Sequence, residues 1–144
     1  GHPERLPVRA EKKARRVEKR TVLIVIAGGR VLLHRREDKG LLAGMWELPS
    51  VPSWIPPEET DAVAATWGAR PTETVAVGDG KHVFSHIEWQ MQGVLLYTRP
   101  FSPPEGSLWA DARRLREETA LPSAFRCYSS RLAQWMQGET WSGQ

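Results

Sequence analysis

The sequence predicts an α+β domain, a mixed or antiparallel sheet packed with two to three helices. Three observations carry that expectation. Val22 to Ala27 is a short, β-branched apolar run, and Gly28-Gly29 after it is a two-residue hairpin signal. Ile87, Trp89 and Met91 alternate with Glu88, Gln90 and Gln92, the period of two expected of a half-buried strand. Phe125, Tyr128, Leu132 and Trp135/Met136 recur at helical spacing, which gives the end of the chain one apolar helix face. Strands, a short helix, more strands and then helices follow one another, an order that reads as α+β around a mixed or antiparallel sheet.

Taken in order, residues 1–20 lack an apolar period and read as a linker or a marginal helix. The run from Val22 fits a strand buried on both faces, and Arg30 to Arg36 returns as its hairpin partner. Residues 37–50 read as a loop hinged at Gly40 and Gly44 and ending in Trp46-Glu47-Leu48-Pro49. Pro52, Pro56 and Pro57 punctuate the next loop. Glu58, Glu59 and Asp61 open a short helix, where acidic groups suit the dipole, and Gly68 ends it. Thr72 to Val77 reads as a strand, Gly78-Asp79-Gly80 as a turn, and Gly93 as a bulge before Val94 to Tyr97. A loop with Pro100, Pro103, Pro104 and Gly106 leads to a short helix near Ala110 to Glu117. Pro122 suits the first turn of a last helix. The expected organisation is a basic linker over 1–20, a folded domain over 21–138 and a tail over 139–144.

Composition excludes more than it selects. With 144 residues there is room for one core, and 40% hydrophobic and 26% charged residues are ordinary for a globular protein. The longest apolar run has six residues, against the roughly 20 that span a bilayer. A basic, polar start shows no signal peptide, and a single cysteine points to a reducing compartment, so a cytoplasmic protein is expected. One cysteine, Cys127, allows no internal disulfide and no all-cysteine metal centre. Gly1-His2 without a Met reads as a cloning remnant and suggests a fragment. The net charge of +3 is uneven: residues 1–20 hold eight Lys/Arg against three Glu, while the rest holds twelve basic and fourteen acidic groups. A basic arm can neutralise phosphates; a solvated linker has the same composition.

Two segments carry a family likeness. Val31-Leu-Leu-His-Arg-Arg36 followed by Gly40-Leu-Leu-Ala-Gly-Met-Trp-Glu-Leu-Pro49 is similar to the opening of Nudix domains. Phe84-Ser-His-Ile-Glu-Trp-Gln90 looks like the Phe-Ser-His loop of MutY-type adenine DNA glycosylases. Together they make the chain resemble the C-terminal, Nudix-like domain of that family, with Met45 and Leu48 standing where Leu and Phe are more frequent. The acid-rich Nudix signature is the departure. Hydrolases of this fold hold Mg²⁺ on helix carboxylates, because a hard cation needs several oxygen ligands and phosphoryl chemistry needs its charge. Here Ser50-Val51-Pro52 follows Pro49, and the helix reads Asp61-Ala-Val-Ala-Ala-Thr-Trp-Gly68. No catalytic residue and no metal ligand is expected in this chain.

The resemblance implies a reader of 8-oxoguanine. Oxidation at C8 turns guanine N7 from an acceptor into an N–H donor and adds a carbonyl oxygen. A hydroxyl both accepts and donates, and the resemblance implies that Ser85 touches the lesion from the loop Phe84-Ser85-His86. Phe84 is either a buried anchor or a wedge in the helix stack; His86 either meets a phosphate or fixes the loop. Arg35, Arg36 and Lys39 are candidate phosphate contacts, or else charges guarding an edge strand. Trp46, Trp89, Tyr128 and Trp135 are expected in the core, His34 on a strand surface, and Cys127 is not expected to be a nucleophile.

The resemblance further implies that adenine excision, and the 4Fe–4S cluster that goes with it, belong to an N-terminal domain outside this chain. The implied partners are double-stranded DNA with adenine opposite 8-oxoguanine and that catalytic domain, in a bacterial cytoplasm, with no membrane. Two rivals stand beside this. A divergent Nudix hydrolase would build a metal site from Glu47, Glu58, Glu59 or Asp61. An interaction module would capture another repair or replication protein through residues 1–20.

Overall fold

A seven-stranded sheet runs through the middle of the domain with helices on both faces. The computed structural model describes residues 15–142. The strands are β1 (Arg16–Ala27), β2 (Arg30–Arg35), β3 (Trp46–Glu47), β4 (Ser50–Val51), β5 (Pro71–Val83), β6 (Ile87–Thr98) and β7 (Ser107–Ala110). The helices are α1 (Pro57–Ala65), α2 (Ala112–Glu117), α3 (Arg126–Ser129) and α4 (Leu132–Ser142), with a 3₁₀ turn over Ser123–Phe125. The main path of the sheet is β3-β2-β1-β6-β5, with β4 on β1 and β7 on β2. β1 and β6 are parallel and the other pairs antiparallel, so the sheet is mixed.

β1 explains the centre. Thr21 to Ala27 are all buried, because β1 lies inside the sheet and meets helices on both sides. On one face Val22, Ile24, Trp89, Met91 and Leu95 pack against Phe125, Tyr128, Leu132, Trp135 and Met136. On the other, Leu23, Val25, Val94 and Leu96 pack against Ala64 and Val63 of α1. Buried Thr21 is satisfied by the proline-rich loop: its hydroxyl donates to Ser53 O at 2.7 Å and accepts from Ile55 N at 3.0 Å.

Several sequence expectations need correction. The linker reading stops short, because Arg16 to Arg20 belong to β1 and pair with Ile87 to Met91; residues 1–14 lie outside the described residues. Residues 139–142 continue α4 and are no tail, and 143–144 lie outside the description. The loop over 37–50 contains β3 and β4, and the segment before α2 is strand β7, both paired only through distant partners. The last helix is broken into a 3₁₀ turn, α3 and α4, with Pro122 just ahead of the first. Gly78-Asp79-Gly80 is no turn: β5 runs on to Val83, with one of its two register shifts between Ala76 and Gly78, opposite Gly93. The bulge therefore lies in β5. Gly93 stays glycine for another reason, since a Cβ there would come within 2.4 Å of the Tyr128 ring.

Candidate nucleic-acid interface

The β5–β6 hairpin sets out the Phe84-Ser85-His86 loop. Val83 pairs with Glu88, and Phe84 N donates to Ile87 O at 2.7 Å, leaving Ser85 and His86 as a two-residue tip. Both are exposed, and neither has a positive φ. The tip is tied to the sheet from below: His86 O accepts from Arg16 N at 3.1 Å, at the first residue of β1. Phe84 is half-buried, edge-on to Trp89 with ring centroids 5.0 Å apart and 4.7 Å from the His82 ring. Phe84 thus packs as an anchor of the loop. His86 fixes the loop through its carbonyl while its ring stays in solvent. Among the described residues no hydrogen bond occupies the Ser85 hydroxyl.

Trp89 sits at the middle of a charged cage. It is 1% exposed, and Phe125 packs at 5.8 Å. The Arg20 guanidinium lies 4.7 Å from its ring centroid and that of Arg36 5.5 Å. Its indole N–H donates to Glu18 at 3.2 Å. Arg36 donates to Glu47 at 2.6 Å and to Leu41 O at 2.9 Å. Burial lowers the pKa of Arg20 below the usual arginine value; Glu47 opposes that shift, the nearby Arg36 cation adds to it, and Glu18 opposes it again. The sequence reading missed Arg20, because in a linker it would be one solvated cation among eight. Only its strand position buries it.

The three candidate phosphate contacts therefore part company. Arg36 is held by Glu47 and Leu41 O, with a side chain only 19% exposed, so it is an internal brace. Arg35 and Lys39 remain exposed, although Arg35 Nε donates to Gly44 O at 3.2 Å. Nor does β2 present a charged edge, since it pairs with β1, β3 and β7. His34, read as a surface residue, is half-buried with Nδ1 3.3 Å from the Ser107 hydroxyl. Arg20, His34, Arg36, Glu37, Lys39 and Glu47 surround a cavity of about 240 Å³. The loop beside it is tightly folded: Gly44 N donates to Glu37 O at 2.8 Å, and Leu42 takes a φ of 56°, a left-handed conformation unfavourable for a side chain with a Cβ.

The acids named by the hydrolase rival are dispersed. Glu47 serves Arg36, and Asp61 accepts from the Thr74 hydroxyl at 2.6 Å, pinning α1 to β5. Glu58 and Glu59 are exposed in the first turn of α1. Among the described residues no three His, Cys, Asp or Glu side chains gather as metal ligands, and no helix is long and apolar enough to cross a membrane. Trp89, Tyr128 and Trp135 are core residues and Trp46 is partly buried against them. Cys127 is exposed, yet desolvation pushes its thiol pKa up, away from the reactive thiolate.

A family model described as a NUDIX domain matches residues 21–130. The chain belongs to the NUDIX domain family. Within it, this NUDIX domain is of the MutY C-terminal type. It is 32% identical over 140 residues to human adenine DNA glycosylase, covering 85% of this chain and 26% of that protein. The mouse enzyme gives 33% identity, with 85% and 27% covered. The NUDIX chain thus spans about a quarter of the length of these relatives. In fold it is similar to the C-terminal domain of mouse MUTYH, solved in complex with human PCNA, with a TM-score of 0.62, 24% identity and 85% and 88% of the two chains covered. It is also similar to a MutT NUDIX hydrolase from Burkholderia pseudomallei, with a TM-score of 0.57, 18% identity and 84% and 98% covered.

Proposed function

We propose that this domain reads 8-oxoguanine in duplex DNA for an adenine DNA glycosylase, holding the lesion-bearing base while a separate catalytic domain of the same protein excises the adenine opposite. One observation carries the reading: Ser85 projects into solvent from a hairpin tip whose stalk is fixed by the Phe84–Trp89 contact and the Arg16–His86 hydrogen bond. A base reader needs an available acceptor on a rigid support, because misplacement by a fraction of an ångström forfeits the hydrogen bond. The hydroxyl can accept from the N7–H that only the oxidised base carries. It can also donate to N7 of plain guanine, so Ser85 supplies modest discrimination, roughly 1–3 kcal/mol for a good base contact.

Exposed Arg35 and Lys39 meet phosphates of the same duplex, and His86 lies next to its backbone. The glycosidic chemistry and the 4Fe–4S cluster are assigned to the catalytic domain, in a DNA-associated protein of the bacterial cytoplasm. Adenine DNA glycosylases among the relatives support this division, as does the dispersal of the acids around α1.

Ser85→Ala in the full-length protein tests the reading. Binding is measured on two duplexes that differ only in 8-oxoguanine or guanine opposite adenine. Preference for the lesion should fall by roughly 1–3 kcal/mol with thermal stability unchanged. An unaltered preference removes Ser85 as the reader.

A further inference from the structure

The reading loop is not held by its own hydrogen bonds alone. Beneath Phe84 lies Trp89, and Trp89 is flanked by two guanidinium groups, Arg20 at 4.7 Å and Arg36 at 5.5 Å from its centroid. The Arg20 Nε is buried and makes no hydrogen bond. That arrangement is a poor way to gain stability, since burying ions and leaving a donor unsatisfied both cost free energy that an apolar filling avoids. It is a good way to fix an indole plane. The N–H bond to Glu18 sets the ring's rotation, the cations bound its face, and Arg36 carries the position onward to Glu47 and to Leu41 O in the 37–44 loop.

From this geometry we infer that Trp89, clamped by Arg20 and Arg36, is the positioning residue of the reading loop, and that the Arg36–Glu47 ion pair locks the 37–44 loop and the Ser85 tip into one rigid unit. The partner recognised is the lesion-bearing duplex, with Ser85 on the base and the exposed cations Arg35 and Lys39 on its phosphates, at a spacing fixed through the indole. The inference rests on Ser85 being the reader. It assigns no contact with DNA to Trp89, Arg20, Arg36 or Glu47.

The test separates positioning from stability. Arg36→Met together with Glu47→Leu replaces the ion pair with apolar side chains of similar size and leaves Arg20 and Glu18 to balance each other. Thermal unfolding of the present chain should be unchanged or shifted upward. In the full-length protein the preference for 8-oxoguanine over guanine should fall roughly three- to tenfold, within the coupling range of residues in one network. Adding Ser85→Ala to the pair should lower it no further than Ser85→Ala does alone. Trp89→Phe, which keeps the ring body but loses the Glu18 bond, should reproduce the loss and serves if the pair variant does not fold. Wild-type preference in the pair variant and in Trp89→Phe, with Ser85→Ala still defective, overturns the inference and spares the reader. An unaffected Ser85→Ala protein overturns both.

Discussion

The β5–β6 hairpin and the stretch from Trp46 to Trp67 use polar groups in opposite ways. In the hairpin, structural demands are met by the backbone and by Phe84, and the Ser85 hydroxyl is left to solvent. In the other stretch three polar side chains are already engaged, Glu47 with Arg36, Asp61 with Thr74, and the Thr60 hydroxyl with Pro57 O, while Glu58 and Glu59 stay exposed. A metal-dependent hydrolase needs carboxylates converging on one point. The difference teaches that one sheet can hold its carboxylates in internal contacts in one region and leave a hydroxyl exposed in another. Helix α1 packs into the core through Ala64, while the unengaged Ser85 hydroxyl sits on a hairpin tip.

The comparison breaks most severely at Trp89, which serves both the core and the loop. Trp89→Ala should destabilise the domain by about 3–5 kcal/mol, the range for removing a large buried aromatic, read from denaturant unfolding. A loss below 1 kcal/mol would show the cage to be decorative. Next comes Gly93→Ala. Its Cβ would stand 2.4 Å from Tyr128 Cε1 and 3.0 Å from Val77 Cγ2, and overpacking of this kind costs about 1–3 kcal/mol. A thermal midpoint at the wild-type value would mean that Tyr128 moves freely.

Tyr128 supplies a pH test. Its hydroxyl donates to Gly78 O at 3.0 Å, and burial pushes the phenol pKa well above the ordinary range. A raised pKa in the folded state means that the tyrosine's contribution is complete below the unfolded phenol value, near ~10, and is lost as pH rises beyond it. Tyr128→Phe should cost about 0.5–1.5 kcal/mol at neutral pH and flatten the decline in stability above pH ~10. The remaining slope belongs in part to Cys127, whose thiol is raised as well. An equally steep alkaline decline in the variant would remove Tyr128 from the account.

The smallest effect is expected on the acidic side. Glu58→Gln with Glu59→Gln should change stability by no more than about 0.5 kcal/mol, as is usual for exposed positions, and should leave thermal unfolding equally indifferent to added Mg²⁺. A Mg²⁺-dependent rise in the unfolding temperature that the double substitution abolishes would reinstate the hydrolase reading.

Much of this was legible in the chain, because local rules operated undisturbed. The β-branched run from Val22, the alternation from Ile87 to Gln92 and the apolar face from Phe125 to Met136 each bury what their period implies. The Phe84-Ser85-His86 segment announced itself through its likeness to a known loop. Where glycine had two meanings the sequence could not choose: Gly78 and Gly80 suit a turn as well as a bulged strand, and the bulge was settled by Tyr128 and Arg131 bonding to the carbonyls of Gly78 and Val77.

By itself, then, the sequence determined the α+β class, the core strands and the place of the Phe84-Ser85-His86 loop, since these depend on neighbours within a few residues. Tertiary structure alone decided that Arg20 leaves a charged run to stack on Trp89, that Arg36 braces and does not reach outward, and that β7 exists. Each depends on a partner far along the chain, and the chemistry of a guanidinium suits a phosphate, a carboxylate and an aromatic face equally until folding supplies one of them.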